Sequence, residues 1–138
     1  EYKKRALVIW NNELLKNHTE CAAPFHHIGV IYGELKCYRK QLEYFNKALT
    51  IQEKKLSKNH PEIALLYNNI SATYMCLRNY DKALPYMLKA ASIFEQTVPK
   101  NNAQLAKIYS RISKAYANLG DEKNSEKYLK LYQQYNNQ

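Results

Sequence analysis

The chain has 138 residues and carries 21 lysines and arginines against 12 acids, a formal charge of +9. That length suffices for one compact domain or a short stack of repeated units, with little room for a second domain. No apolar stretch approaches a membrane span and no signal peptide is visible, while the basic surplus favours acidic partners without naming their kind.

Residues 1–16 read as a helix in which Leu7, Ile9, Trp10 and Leu14 are all apolar. Such a helix needs a cover, either an upstream unit or a second copy of the chain. A second helix is expected over 21–36, beginning late or loosely because of Pro24, and a third over 39–57. Asn59-His60-Pro61-Glu62 is a helix start, with proline where its missing N–H costs nothing and an acid in the first turn. The helix it opens, 61–78, carries Ile63, Leu66, Tyr67, Ile70, Tyr74 and Leu77 as one apolar stripe. Ala64, Ser71 and Ala72 sit beside the stripe and let another helix approach closely. Asn79 or Asp81 can cap the next helix, 81–97, whose seam is Ala83, Met87, Ala90 and Phe94, flanked by Tyr86 and Ile93. Pro85 falls within the first two turns, where it costs less than the roughly 3 kcal/mol of a mid-helix proline. Helices over 102–119 and 122–135 complete the chain. The last is amphiphilic and ends in polar residues, as a helix facing water on its outer side would.

These elements repeat. Ile28, Ile70 and Ile112 lie 42 residues apart, as do Tyr32, Tyr74 and Tyr116, and Leu35, Leu77 and Leu119. A gapless period of this size marks a stack of helix–turn–helix units, each burying its apolar face on its neighbours. The fold class is therefore all-α, an α–α solenoid of about seven antiparallel helices. Its frame is a partial repeat over 1–18, repeats over 19–60 and 61–102, and a C-terminal repeat with a capping helix over 103–138. Glu1 begins the chain inside a repeat and without methionine, which reads as a piece of a larger protein. Cys21, Cys37 and Cys76 are odd in number and lack Cys-x-x-Cys spacing, so they read as reduced thiols in an intracellular protein, most simply a cytoplasmic one.

Leu66-Tyr67-Asn68-Asn69-Ile70-Ser71 with Tyr74, Asn79-Tyr80-Asp81-Lys82-Ala83-Leu84, and the run Lys47-Ala48-Leu49-Thr50-Ile51 leading to Asn59-His60-Pro61 together resemble the tetratricopeptide repeat. They are most similar to the long variety found in kinesin light chains. The usual tetratricopeptide period is about 34 residues; the longer one adds about a turn to each helix. The family's small residue in the first helix falls on Gly29, Ser71 and Ser113, and its second-helix alanines on Ala83 and Ala90.

The resemblance implies a right-handed α–α superhelix that serves as a protein–protein interaction scaffold, with no cofactor, and whose first helices line a concave face. The residues free to face a ligand there are His26, His27, Val30 and Glu34 in the first full unit. In the second they are Leu65, Asn68, Asn69, Ala72, Met75 and Cys76, all uncharged. In the third they are Lys107, Ser110, Arg111, Lys114 and Asn118, with three cations and no acid. Amides can grip an extended peptide backbone and a cationic row can hold carboxylates. The expected peptide-binding set is His26, His27, Asn68, Asn69, Met75, Lys107, Arg111 and Lys114, and the expected ligand an acidic peptide or partner protein. Tetratricopeptide co-chaperones grip a C-terminal carboxylate with a set of lysine, arginine and asparagine side chains. Asn69, Lys107 and Arg111 match that set, whereas His26 stands for its lysine and Val30 for an asparagine.

Other functions find less in the sequence. His26 and His27 are adjacent, so on a helix they point about 100° apart and do not chelate one ion together. Cys76 has no oriented third group and no glycine-rich loop to make it a nucleophile, and no phosphate-binding motif appears. The chain is not expected to be an enzyme. Nucleic-acid binding would draw on the charge and the thirteen tyrosines, yet Tyr32, Tyr67, Tyr74, Tyr109 and Tyr116 occupy packing columns, where bases cannot stack on them. The remaining alternative is a regulatory or oligomerising appendage of a catalytic protein, self-associating through the Trp10 helix.

Overall fold

A computed structural model describes residue 5 and residues 23–97 and 102–137. They form α1 (Ala23–Glu34), α2 (Tyr38–Lys55), α3 (Pro61–Cys76), α4 (Tyr80–Gln96), α5 (Asn102–Asn118) and α6 (Glu122–Asn136), with no strand among the described residues. The fold is all-α, and the six helices fall within a few residues of those read from the periodicity. Arg5 is helical; the rest of the expected leading helix, including Leu7, Ile9, Trp10 and Leu14, and the thiol of Cys21 lie outside the described residues. The chain divides into two compact units, Glu1–Ser57 and Lys58–Gln138.

Each helix pair closes through the same turn. In the first, the Cys37 N–H donates to the Tyr32 carbonyl at 2.8 Å and the Lys36 N–H to that of Gly33 at 3.0 Å. Asn79 and Arg78 repeat this on Tyr74 and Met75, and Asp121 and Gly120 on Tyr116 and Ala117. This double bond satisfies the last carbonyls of the helix and requires a left-handed residue at its pivot. Gly120 adopts it freely at φ 83°, but Lys36 and Arg78 hold φ 60° and 59° as ordinary L-residues, a conformation that costs each roughly 1–2 kcal/mol.

The helix starts are less uniform. His60 is extended, its Nδ1 accepts the Glu62 N–H at 3.1 Å, and Pro61 follows as the first helical residue. Asp121 caps α6 by accepting the Asn124 N–H at 3.1 Å. Hydrogen bonds from the Asn124 side chain and backbone hold the Asp121 carboxyl below its ordinary pKa. Asn79 occupies the corresponding place before α4 but makes no side-chain cap, contrary to one of the two capping options in the sequence. Its own N–H is tied into the preceding turn, which fixes where α4 begins. Pro85 is exposed and α4 runs through it.

In the first unit α1 packs on α2 through Ile28, Gly29, Phe45, Ala48 and Leu49, all buried. A Cβ on Gly29 would lie 2.6 Å from the Phe45 ring, so the close approach here depends on glycine.

The second unit has the larger core. α3 buries Ile63, Ala64, Leu66, Tyr67, Ile70 and Ser71; α4 buries Ala83, Met87, Ala90, Ala91, Ile93 and Phe94. α5 adds Leu105, Ala106, Ile108, Tyr109, Ile112, Ser113 and Ala115, whereas α6 buries no residue completely. Within this unit α4 packs against both α3 and α5, and α6 packs against α5. Where α3 sets Ser71 in the small-residue column, its hydroxyl turns back on the Asn68 carbonyl at 2.7 Å. Ser113 on α5 instead donates to the Ser125 carbonyl at 2.8 Å, and Ser125 returns a bond to the Ser113 carbonyl at 3.0 Å.

The tyrosine columns are packing columns. Tyr32 stacks on Tyr44, Tyr74 on Tyr86 and Tyr116 on Tyr128, with ring centroids 5.5, 6.0 and 5.8 Å apart. Tyr109 is 2% exposed and meets the rings of Tyr128 and Tyr135. Its hydroxyl donates to Glu95 Oε1 at 2.6 Å. Burial first, and then that carboxylate, push the Tyr109 hydroxyl far above the ordinary phenol pKa.

Candidate interaction site

Two of the eight residues singled out in the sequence lie in the first unit. His26, on α1, is half-buried with its ring stacked on Phe45 at 5.4 Å, and His27 beside it is exposed. Burial, and next the neighbouring His27 charge, hold the His26 imidazole below its ordinary pKa. It therefore stays neutral at pH 7 and does not supply the positive charge of the lysine whose column it occupies.

The other six lie in the second unit, on α3 and α5. The buried stripe of α3 fixes the opposite side of that helix. Leu65 there is 47% exposed and Cys76 is exposed, while Asn69, Ala72 and Met75 are half-buried. On α5 the same columns hold exposed Lys107, half-buried Arg111 and exposed Lys114. The backbone columns are shared, and the side chains change from neutral to cationic.

Asn68 is the exception to its expected role. It is 9% exposed, at the edge of the α3 stripe that turns towards α5. Arg111 Nη1 donates to its Oδ1 at 2.7 Å. The bond joins positions one residue off the 42-residue period, so comparing columns alone does not reveal it. A buried amide oxygen is thereby satisfied, and the guanidinium is fixed on its stem by a neutral partner. Among the described residues no carboxylate pairs with Lys107, Arg111 or Lys114. On the exposed side of α2, Glu43 pairs with Lys40 and Lys47, where such pairs contribute little. Among the described residues the charge on α5 thus has no acidic partner, and one of its three members is already oriented.

Asn69 is half-buried, and its backbone carbonyl accepts the Thr73 hydroxyl at 3.0 Å. Met75 lies near the C-terminal end of α3, and the Asn118 amide bonds the Lys114 carbonyl at 2.8 Å, finishing the last turn of α5. Cys37 and Cys76 are free and exposed. Among the described residues no three histidine, cysteine, aspartate or glutamate side chains gather as a metal site, and no helix is long and apolar enough to cross a membrane.

The tetratricopeptide repeat profile matches the chain over residues 20–96 and 62–132. Among curated proteins no sequence matches significantly. Among solved structures, BtubC (BKLC) from P. vanneervenii superposes with a TM-score of 0.87 at 17% identity, covering 98% of this chain and 57% of that one. The N-terminal domain of stress-induced protein-1 (STI-1) from C. elegans gives 0.68 at 17% identity, covering 83% of each chain. The putative kinesin light chain TPR-like repeats of Podosopora anserina give 0.71 at 16% identity, covering 97% of this chain and 64% of that one. At such identities the likeness is one of fold. The chain spans little more than half the length of the BtubC chain.

Proposed function

The chain belongs to the tetratricopeptide repeat family, whose repeats serve as protein–protein interaction scaffolds, and on that premise we propose that the exposed face of α3 and α5 binds an acidic peptide or an acidic segment of a partner protein. The observation that carries this reading is the row Lys107, Arg111 and Lys114. Its three cations share one side of α5 with no described carboxylate to neutralise them, and Arg111 is held ready by Asn68. A guanidinium fixed before binding loses less freedom when it closes on a carboxylate, so more of the interaction appears as affinity. Asn69 and Met75 border the row from α3. His26 and His27 belong to the first unit and are not part of this face. The repeat frame 19–60, 61–102 and 103–138 is part of the same reading.

The test is Lys107→Glu combined with Arg111→Glu, read by fluorescence anisotropy with an acidic peptide and by circular dichroism. Placing like charges opposite the ligand should weaken binding by about a hundredfold or more, with helix content unchanged. Asn68→Asp provides a gentler version. It keeps the contact to Arg111 but neutralises it with a carboxylate, and should weaken binding about tenfold. Unaltered affinity in the double variant would overturn the assignment.

A further inference from the structure

Resting on that reading, we infer that the ligand of this face is an amphipathic helix, with an acidic stripe lying on α5 and an apolar stripe beside it lying on α3. The inference comes from spacing. Along α5, Lys107 and Arg111 are separated by about 6 Å and Arg111 and Lys114 by about 4.5 Å, from a rise of 1.5 Å per residue. A second helix laid along α5 presents acids at positions i, i+4 and i+7, or i, i+3 and i+7 if it runs the other way, with the same intervals. An extended strand puts same-side residues about 6.7 Å apart. Its third carboxylate would fall about 3 Å beyond Lys114.

The neighbouring helix supplies the second half of the match. Leu65, Ala72 and Met75 follow one another on α3 at helical intervals, with Leu65 47% exposed and the other two half-buried. The Asn68–Arg111 hydrogen bond links α3 to α5 at this level. The α3 row, apolar apart from Asn69, is therefore bridged to the cationic row of α5, and each has the period of a helix. A docked helix offers two such rows at once, because neighbouring stripes on its surface keep the same period. Helix-in-groove recognition reads its anchors at these intervals.

Charge complementarity decides between occupants. A second copy of this chain brings a formal charge of +9, and α6, its most exposed described helix, sets Lys123, Lys127 and Lys130 around a single acid, Glu126, on one side. Such a surface would be repelled by Lys107, Arg111 and Lys114. An acidic helix from a different protein is attracted by them.

The experiment uses the full chain and three labelled peptides of one length and nearly one composition, with acetylated and amidated ends. The first carries glutamates at i, i+4 and i+7 beside a leucine stripe, the second has the same residues scrambled so that both stripes are lost, and the third is the first with a central proline. The striped peptide should bind at least about tenfold tighter than either of the others and gain helical ellipticity on binding, since a peptide of this size is only marginally helical alone. Leu65→Asp should reduce that advantage while leaving the weaker binding of the scrambled peptide nearly unchanged. If all three peptides bind alike, the helix inference falls and acidic-peptide binding stands. If none binds, both fall.

Discussion

Helices α4 and α6 occupy corresponding places in the pairs α3–α4 and α5–α6, yet one is buried along much of its length and the other buries no residue completely. Met87, Ala91 and Phe94 of α4 become Leu129, Gln133 and Asn136 in α6, and Ala90 becomes Tyr132. The difference follows from neighbours. α4 lies between α3 and α5, whereas α6 has α5 alone among the described helices. A column in such a repeat fixes which side of a helix meets its own partner. Whether the other side is covered depends on what packs next.

The largest expected effect separates those two helices. Met87 is 0% exposed and Leu129 is 44% exposed. Met87→Ala should cost about 2–5 kcal/mol in thermal or denaturant unfolding, and Leu129→Ala about 0.5 kcal/mol. Equal losses would mean that α6 is covered in solution as fully as α4.

A middle-sized effect tests how α5 is tied to α4. Tyr109→Phe removes the hydroxyl that bonds Glu95 and should cost about 1 kcal/mol at neutral pH, since Glu95 is itself exposed and partly screened. Burial of that hydroxyl, and then its bond to Glu95, make stability fall in alkali. Above pH 10, the ordinary phenol value, the unfolded chain releases the Tyr109 proton while the folded chain retains it. The unfolded state then binds fewer protons, so stability declines as pH rises. Subtracting the Tyr109→Phe profile from that of the parent protein isolates this contribution, and two parallel profiles would show that the hydroxyl is neither buried nor held by Glu95 in solution.

The smallest effect concerns the turns. Gly120 and Arg78 hold the same left-handed pivot after α5 and α3. Arg78→Gly relieves the side-chain clash but adds freedom to the unfolded chain, for a net gain of about 0.5–1 kcal/mol. A loss instead would show that the Arg78 side chain makes a stabilising contact worth more than the strain it carries.

Much of this was legible in the residues. The period placed the helices because every copy of a column faces the same neighbour, and Pro61 and His60 marked the start of α3. The left-handed pivots were harder to read, since Lys36 and Arg78 hide what Gly120 alone would have advertised. The site was legible as a list of exposed positions, not as a set of contacts. Lys107, Arg111 and Lys114 could be read as a row because they share one helix. Asn68 looked like a ligand-facing amide, and its bond to Arg111 crosses between helices at an offset of one from the repeat. Tyr109 read as a packing residue, and its link to Glu95 likewise spans two helices.

The sequence by itself determined the all-α repeat, the helix boundaries to within a few residues, and the division of each helix into a buried and a free side. These follow from local periodicity, which the chain carries in its own order. The tertiary structure alone decided which free residues are already engaged, that His26 is sheltered against Phe45, and that Arg111 is held by a neutral amide with its charge intact. Those outcomes depend on how closely two helices approach and at what register, and that distance is set by packing across the unit.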